Sequence, residues 1–319
     1  MHSVGAKRPN HSLLTPEGRR YVGRKIWKNR FIYLMILPII AYFIVIRYVP
    51  MYWLRIAFYD YKLLRGFSGS KFVGLKHFQQ FVTGLNFSQV VGNTVILNLE
   101  SMLFTFPLPI VFALFLNEIR NQKFKRTVQT ISYLPHFLST VVVVSMMNTL
   151  LSVQTGAVNA ALRGLGLNTV YFMGEPGWFR PLSIISGVWQ GTGWNAIIYI
   201  SALAGINPEL YEAARADGAG RFRQMWHVSL PGIRETIVIL LIMRVGSIMS
   251  LGFEKPFLMQ NSLNISKSEV ISTYVYKLGL QRNDYSRSTA IGLFNAVISL
   301  LLVLMANFTS RKLSDSSLF

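Results

Sequence analysis

Apolar residues fill six membrane-length stretches of this chain, at about 31–49, 93–116, 128–151, 182–204, 233–251 and 290–308. A run of roughly 20 apolar residues crosses a ~30 Å hydrocarbon core as a helix. The pattern therefore predicts an all-α membrane bundle of six transmembrane helices. Pro38, Pro107 and Pro109 fall inside these runs, which membrane helices tolerate when neighbours satisfy the freed carbonyls, and Pro135 breaks the third run. The connections differ in character. Residues 50–89 are mixed and aromatic, with Gly66, Gly69 and Gly74 as punctuation and a short interfacial helix expected near 75–83. Residues 152–180 and 252–288 read as further external segments.

One polar stretch, 207–232, interrupts the apolar pattern between the fourth and fifth runs. Asn207 suits a helix N-cap, Pro208 the first helical position and Glu209 the positive end of the dipole. Asp217-Gly218 stops that helix, and a second short one fits Arg221 to His227 before Leu230-Pro231. Ala213 and Ala214 favour helix and let a partner surface approach closely, while Glu212 and the arginines supply charge. Two short helices hinged at a glycine between membrane runs make a docking element for a soluble partner.

Charge sets the orientation. The tail, residues 1–30, carries Lys7, Arg8, Arg19, Arg20, Arg24, Lys25, Lys28 and Arg30, and the loop after the second run carries Arg120, Lys123, Lys125 and Arg126. Basic residues concentrate on the cytoplasmic side of membrane spans, so both termini, the loop at 120–126 and the stretch at 207–232 are expected inside, with residues 31–319 forming one membrane domain. Composition agrees: 51% of residues are hydrophobic and 14% charged, against about 25% charged in soluble domains. The net charge of +19 is explained by span-flanking residues rather than by a nucleic-acid partner. The chain has no cysteine, which excludes disulfides and thiolate chemistry.

Catalytic patterns are missing from the sequence. It has no Gly-x-x-x-x-Gly-Lys-Ser/Thr phosphate loop, no His-Glu-x-x-His and no Gly-x-Ser-x-Gly turn. A membrane-embedded lipid or glycan transferase would need an acidic or histidine cluster that is not visible, and His227 reads as an interface residue. Candidates for a substrate path lie at membrane depth. Glu100 and Arg244 would each cost about 2.5–3.5 kcal/mol at a lipid-exposed helix centre, so they line a path, pair with one another or bond to backbone freed by proline. Trp189, Gln190, Trp194 and Asn195 offer indole faces and amides that suit sugars. The competing role there is helix packing through Gly187-x-x-x-Gly191.

Glu212-Ala213-Ala214, Gly218, Val228 and Leu230-Pro231 resemble the EAA signature of ATP-binding-cassette (ABC) importer permeases, with Val228 where that pattern has isoleucine. Asn117-Glu118-Ile119-Arg120, the stretch from Lys125 to Phe137 and Thr273-Tyr274-Val275-Tyr276 are similar to the MalF-like sugar branch, nearest to the permeases of alginate importers. The resemblance covers about residues 25–319. It implies a MetI-like permease core whose loop couples to a separate ATPase through Tyr211, Glu212, Ala213, Ala214, Arg215, Asp217, Gly218, Ala219, Arg221, Leu230 and Pro231. It also implies a second homologous permease, two ATPase subunits that use ATP-Mg, and an extracytoplasmic solute-binding protein. The chain itself would hold no cofactor or metal and sit, multi-pass, in lipid of the bacterial cytoplasmic (inner) membrane. The expected cargo is an oligosaccharide, and Arg47, Arg244 and the basic excess point to an acidic one, such as alginate or pectin fragments. Alternatives are an importer permease for another small solute and an ATP-independent membrane transporter.

Overall fold

The structure, a computed structural model, describes residues 27–249 and 252–313. The basic tail at 1–26 and the last residues, 314–319, fall outside the described residues, and with them the expected placement of both chain ends. The chain divides into two compact units at Arg55/Ile56.

The first unit is built on α1 (Arg30–Phe43), which keeps Pro38 inside the helix and continues through a π-helical turn at Ile44–Tyr48. Large apolar side chains are exposed all along it, from Phe31 to Val49. A helix that is apolar on every side has no face for water and belongs in lipid or against protein.

The second unit opens with an antiparallel hairpin, β1 (Tyr59–Lys62) and β2 (Gly66–Phe72), with Tyr59 opposite Phe72. This amends the all-helical expectation. The aromatic residues of this segment pair across the strands, Tyr59 lying 5.6 Å from Phe67 and 5.2 Å from Phe72 between ring centroids, and such pairs stabilise a ladder. A short helix, α2 (Lys76–Val82), follows and is tied back by Lys76 Nζ to Asp60 at 3.0 Å.

The helices after it are α3 (Phe87–Thr105), α4 (Pro107–Asn117), α5 (Gln122–Tyr133), α6 (Thr140–Leu150), α7 (Ala157–Gly164) and α8 (Pro176–Ala204). Between α5 and α6 a 3₁₀ turn at Leu134–Phe137, led by Pro135, bends the path by 95°. Ser139 restarts the helix by accepting from Val142 N–H. After the polar stretch come α9 (Pro208–Ala216), α10 (Arg221–Gln224), α11 (Arg234–Gly246), α12 (Glu254–Met259), α13 (Ile265–Ser268), α14 (Ile271–Tyr276) and α15 (Tyr285–Leu313).

Among the described residues, three segments are long and apolar enough to cross a membrane: Arg30–Phe58, Phe87–Asn117 and Tyr285–Thr309; the bent pair of α5 and α6 would make a fourth. By length α8 also suffices, since 29 residues extend about 43 Å, but Gln190, Thr192 and Asn195 dilute its apolar character. The α11 segment stops at 13 residues.

The long helix α8 is the spine of the second unit, packing along α4 and touching α3 and α5, while α11 lies against α15. Its closest approach is at Gly193, where a β-carbon would lie 2.2 Å from the Ser132 carbonyl oxygen. The packing role expected of Gly187 and Gly191 falls instead on Gly193: a β-carbon on Gly187 would have no neighbour nearer than 3.9 Å, and one on Gly191 would meet only the Asn195 amide. Gly193→Ala is expected to push α8 off the 132–137 turn and destabilise the fold by about 1–3 kcal/mol. Thermal unfolding in detergent checks this, and an unchanged Tm would contradict it.

Candidate functional site

The polar stretch folds as two arms around Gly218. Asn207 Oδ1 accepts from Glu209 N–H at 3.1 Å and caps α9. At its other end Gly218 N–H donates to Arg215 O at 3.0 Å and Ala219 N–H to Ala214 O at 2.8 Å. This is a Schellman closure, which needs a left-handed residue at the turn, and Gly218 supplies it with φ of +76°. Gln224 Nε2 then donates to Ala219 O at 2.6 Å, holding the start of α10 to the turn. The second arm continues through a π-helical turn at Met225–Ser229 into Leu230–Gly232. Tyr211 and the buried Ser229 share a hydrogen bond of 3.0 Å between hydroxyls, tying the arms together.

The outer surface of this element mixes charge and apolar area. Glu212, Ala213, Arg215, Asp217, Gly218, Arg221 and Pro231 are exposed; Tyr211, Ala214, Ala219 and Leu230 are half-buried. Phe222 and Trp226, one turn apart, are 75% and 68% exposed, and Leu210 joins them at 54%. A cavity of about 520 Å³ lies between α9–α10 and the end of α4, lined by Tyr211, Arg215, Arg221 and Gln224 on one side and by Asn117, Glu118, Ile119 and Arg120 on the other.

The path candidates separate into three places. Asn195 and Arg244 line one cavity of about 150 Å³ with Thr105, Pro109 and Tyr199. Glu100 and Trp189 line another, of about 990 Å³, with Arg180, Lys267 and the apolar Phe104, Ile184 and Val188. The ion pair considered between Glu100 and Arg244 does not form. Glu100 meets Arg180 Nη1 at 3.5 Å because α3 packs on the first turns of α8, and Arg244 Nη2 donates to Thr105 Oγ1 at 3.3 Å. Gln190 and Trp194 attach to the bend. Gln190 Nε2 donates to Leu138 O at 3.2 Å, and the Trp194 indole stacks on His136 at 4.4 Å.

Residues 105–315 match the family of binding-protein-dependent transport system inner membrane components. The chain belongs to this family. Among curated members, the polygalacturonan/rhamnogalacturonan transport system permease protein YteP of Bacillus subtilis (strain 168) is 43% identical over 307 residues, covering 96% of each chain. Protein LplB of the same organism is 40% identical over 319 residues, covering 100% of both. Of solved structures, a bacterial ABC transporter involved in the import of the acidic polysaccharide alginate has a chain 40% identical to this one, with a TM-score of 0.86 over 92% of this chain and 99% of that one. A second structure, of a bacterial alginate ABC transporter in complex with an alginate pentasaccharide-bound periplasmic protein, matches with 40% identity and a TM-score of 0.85 over the same shares.

Sequence reading of this inner membrane component missed four residues that the structure brings forward. Phe222 and Trp226 stand four apart in an otherwise basic run, a spacing that puts both on one helix face, so their signal was present. Arg180 closes a stretch read only as external, yet it meets Glu100 and its Nη2 also donates to Asn93 Oδ1 at 3.1 Å. Lys255 reaches Ser186 Oγ at 3.2 Å, and nothing in its local sequence points across to α8.

Proposed function

We propose that this permease is one membrane half of an ATP-driven importer of acidic oligosaccharides, and that residues 207–232 are the lever through which ATP hydrolysis in a separate subunit reaches the membrane helices. The observation that carries the lever is the exposed Phe222/Trp226 face on an element closed by the Gly218 turn and tied by Tyr211 to Ser229. Apolar area left in water beside exposed charge marks a partner site, and a locked turn transmits a push better than a loose one. In this reading Glu212, Ala213, Ala214 and the arginines sit against the ATPase, and motion passes to α8 and α11, the helices that flank the element. The arrangement has six spans, with α8 and α11 among them and both chain ends in the cytoplasm. A second homologous permease, two ATPase copies and an extracytoplasmic binding protein complete the complex.

The acidic character of the cargo is supported by the polygalacturonan and alginate in the names of similar proteins, and by Arg244 beside Asn195 in the inner cavity. Substrate-stimulated ATP hydrolysis and vesicle uptake by the reconstituted complex test it, across neutral and acidic oligosaccharides of equal length. Stimulation by uronate oligomers above neutral ones is expected. Uptake without ATP would overturn the lever, and preference for neutral sugars would overturn the cargo.

A further inference from the structure

Where α11 and α12 touch α8, the chain keeps positive charge that no carboxylate among the described residues pairs with. Lys255, half-buried on α12, donates from Nζ to Ser186 Oγ at 3.2 Å. Arg244, on α11, donates from Nη2 to Thr105 Oγ1 at 3.3 Å. Lys255 and the residue that holds Arg244 meet at Gly187: a β-carbon built there would lie 4.0 Å from Lys255 Nζ and 3.9 Å from Thr105 Cγ2. Among the described residues, neither cation has a carboxylate within 4.0 Å. Arg180, nearer the start of α8, differs in being engaged by Glu100.

The anchors are neutral, and they are oriented for the purpose. Ser186 gives its proton to Ser183 O at 3.0 Å and Thr105 gives its own to Ser101 O at 2.8 Å, so each hydroxyl turns a lone pair to its cation. A hydroxyl holds an ammonium or guanidinium in place without cancelling its charge. Most of the donors also stay free, since an ammonium has three N–H groups and a guanidinium five. Arg244 falls in the fifth apolar run, and cations at membrane depth are unfavourable unless something pairs with them and mark substrate pathways.

We infer that Lys255 and Arg244, held near Gly187 by Ser186 and Thr105, form a carboxylate-reading station that favours uronate-bearing sugars during passage. This rests on the reading of the chain as an acidic-oligosaccharide permease and adds the residues that would enforce it. Arginine offers a planar fork to a carboxylate and lysine a mobile point charge, so the pair grips one carboxylate and releases it to the next sugar unit.

The test uses the whole complex in vesicles and compares uptake of a uronate oligomer with uptake of its methyl ester. The binding protein acts upstream and is common to every variant, so a change in the acid-to-ester ratio reports on the permease. Lys255→Met and Arg244→Gln are expected to lower that ratio about tenfold, the loss of one charge-assisted contact. Lys255→Arg should keep it. Lys255→Gln retains a donor for Ser186 Oγ and gives a second neutral variant should Lys255→Met fail to assemble. An unchanged ratio, or equal loss of acid and ester uptake, would overturn the station while leaving the acidic cargo intact. A wild-type complex indifferent to esterification would instead remove the acidic cargo itself, and the station with it.

Discussion

Gly218→Pro is expected to cut substrate uptake about a hundredfold while ATP hydrolysis continues and the protein still inserts in the membrane. Proline fixes φ near −65° and lacks an N–H, whereas Gly218 has φ of +76° and donates to Arg215 O at 3.0 Å. The substitution therefore removes the left-handed turn and one of its two closing bonds together. A cost of about 3 kcal/mol corresponds to roughly two decades in the population of the closed turn. Gly218→Ala grades the effect. A β-carbon there meets nothing within 4 Å, so only the left-handed backbone is penalised, by about 1–2 kcal/mol, and uptake should fall roughly tenfold. Glu212→Lys reverses charge on the exposed face of α9 and should also uncouple, without touching the turn. The measurements are ATPase rate, vesicle uptake and membrane content for each variant. Coupled transport by Gly218→Pro would take the lever role away from this loop.

The elements that were legible in the sequence are those set by local chemistry. Asn207, Pro208 and Glu209 announce the start of α9, and Asp217-Gly218 its end, because caps and left-handed turns depend on residues within a few positions. The break at Pro135 was legible for the same reason. The hairpin at 59–72 was not. Its strands are short and aromatic without strict alternation, and pairing across the turn decides them. Long-range partners were also out of reach. The choice of Arg180 over Arg244 for Glu100, and of Ser186 for Lys255, follows from how α3, α8 and α12 cross. Gly187-x-x-x-Gly191 carried a packing pattern, yet the close contact is at Gly193, one of several small residues in that run, and only the rotation of α8 selects it.

Trp226→Ala is expected to weaken association of the permease pair with its ATPase about thirtyfold, with Phe222→Ala giving a similar loss. An exposed indole that becomes buried at the centre of an interface contributes on the order of 2 kcal/mol or more, and removal of that contribution gives the factor quoted. Trp226 is a better candidate than the charged residues around it. Ion pairs at an exposed rim are worth about 0–1 kcal/mol each, so Arg215, Arg221 and Glu212 would set register and partner choice more than affinity. With 68% and 75% of their surfaces exposed, Trp226 and Phe222 contribute little to the fold of the isolated chain, and both alanine variants should keep the wild-type Tm. Leu64→Ala, at the fully exposed tip of the hairpin, serves as the control: it too removes an exposed apolar side chain, but from a segment read as external, and should leave ATPase affinity unchanged. Titration of the purified ATPase against the permease pair in detergent distinguishes these outcomes. Equal affinities for wild type, Trp226→Ala and Phe222→Ala would mean that the apolar face of the second arm is not where the ATPase sits, and the contact would then have to be sought along Glu212-Ala213 on the first.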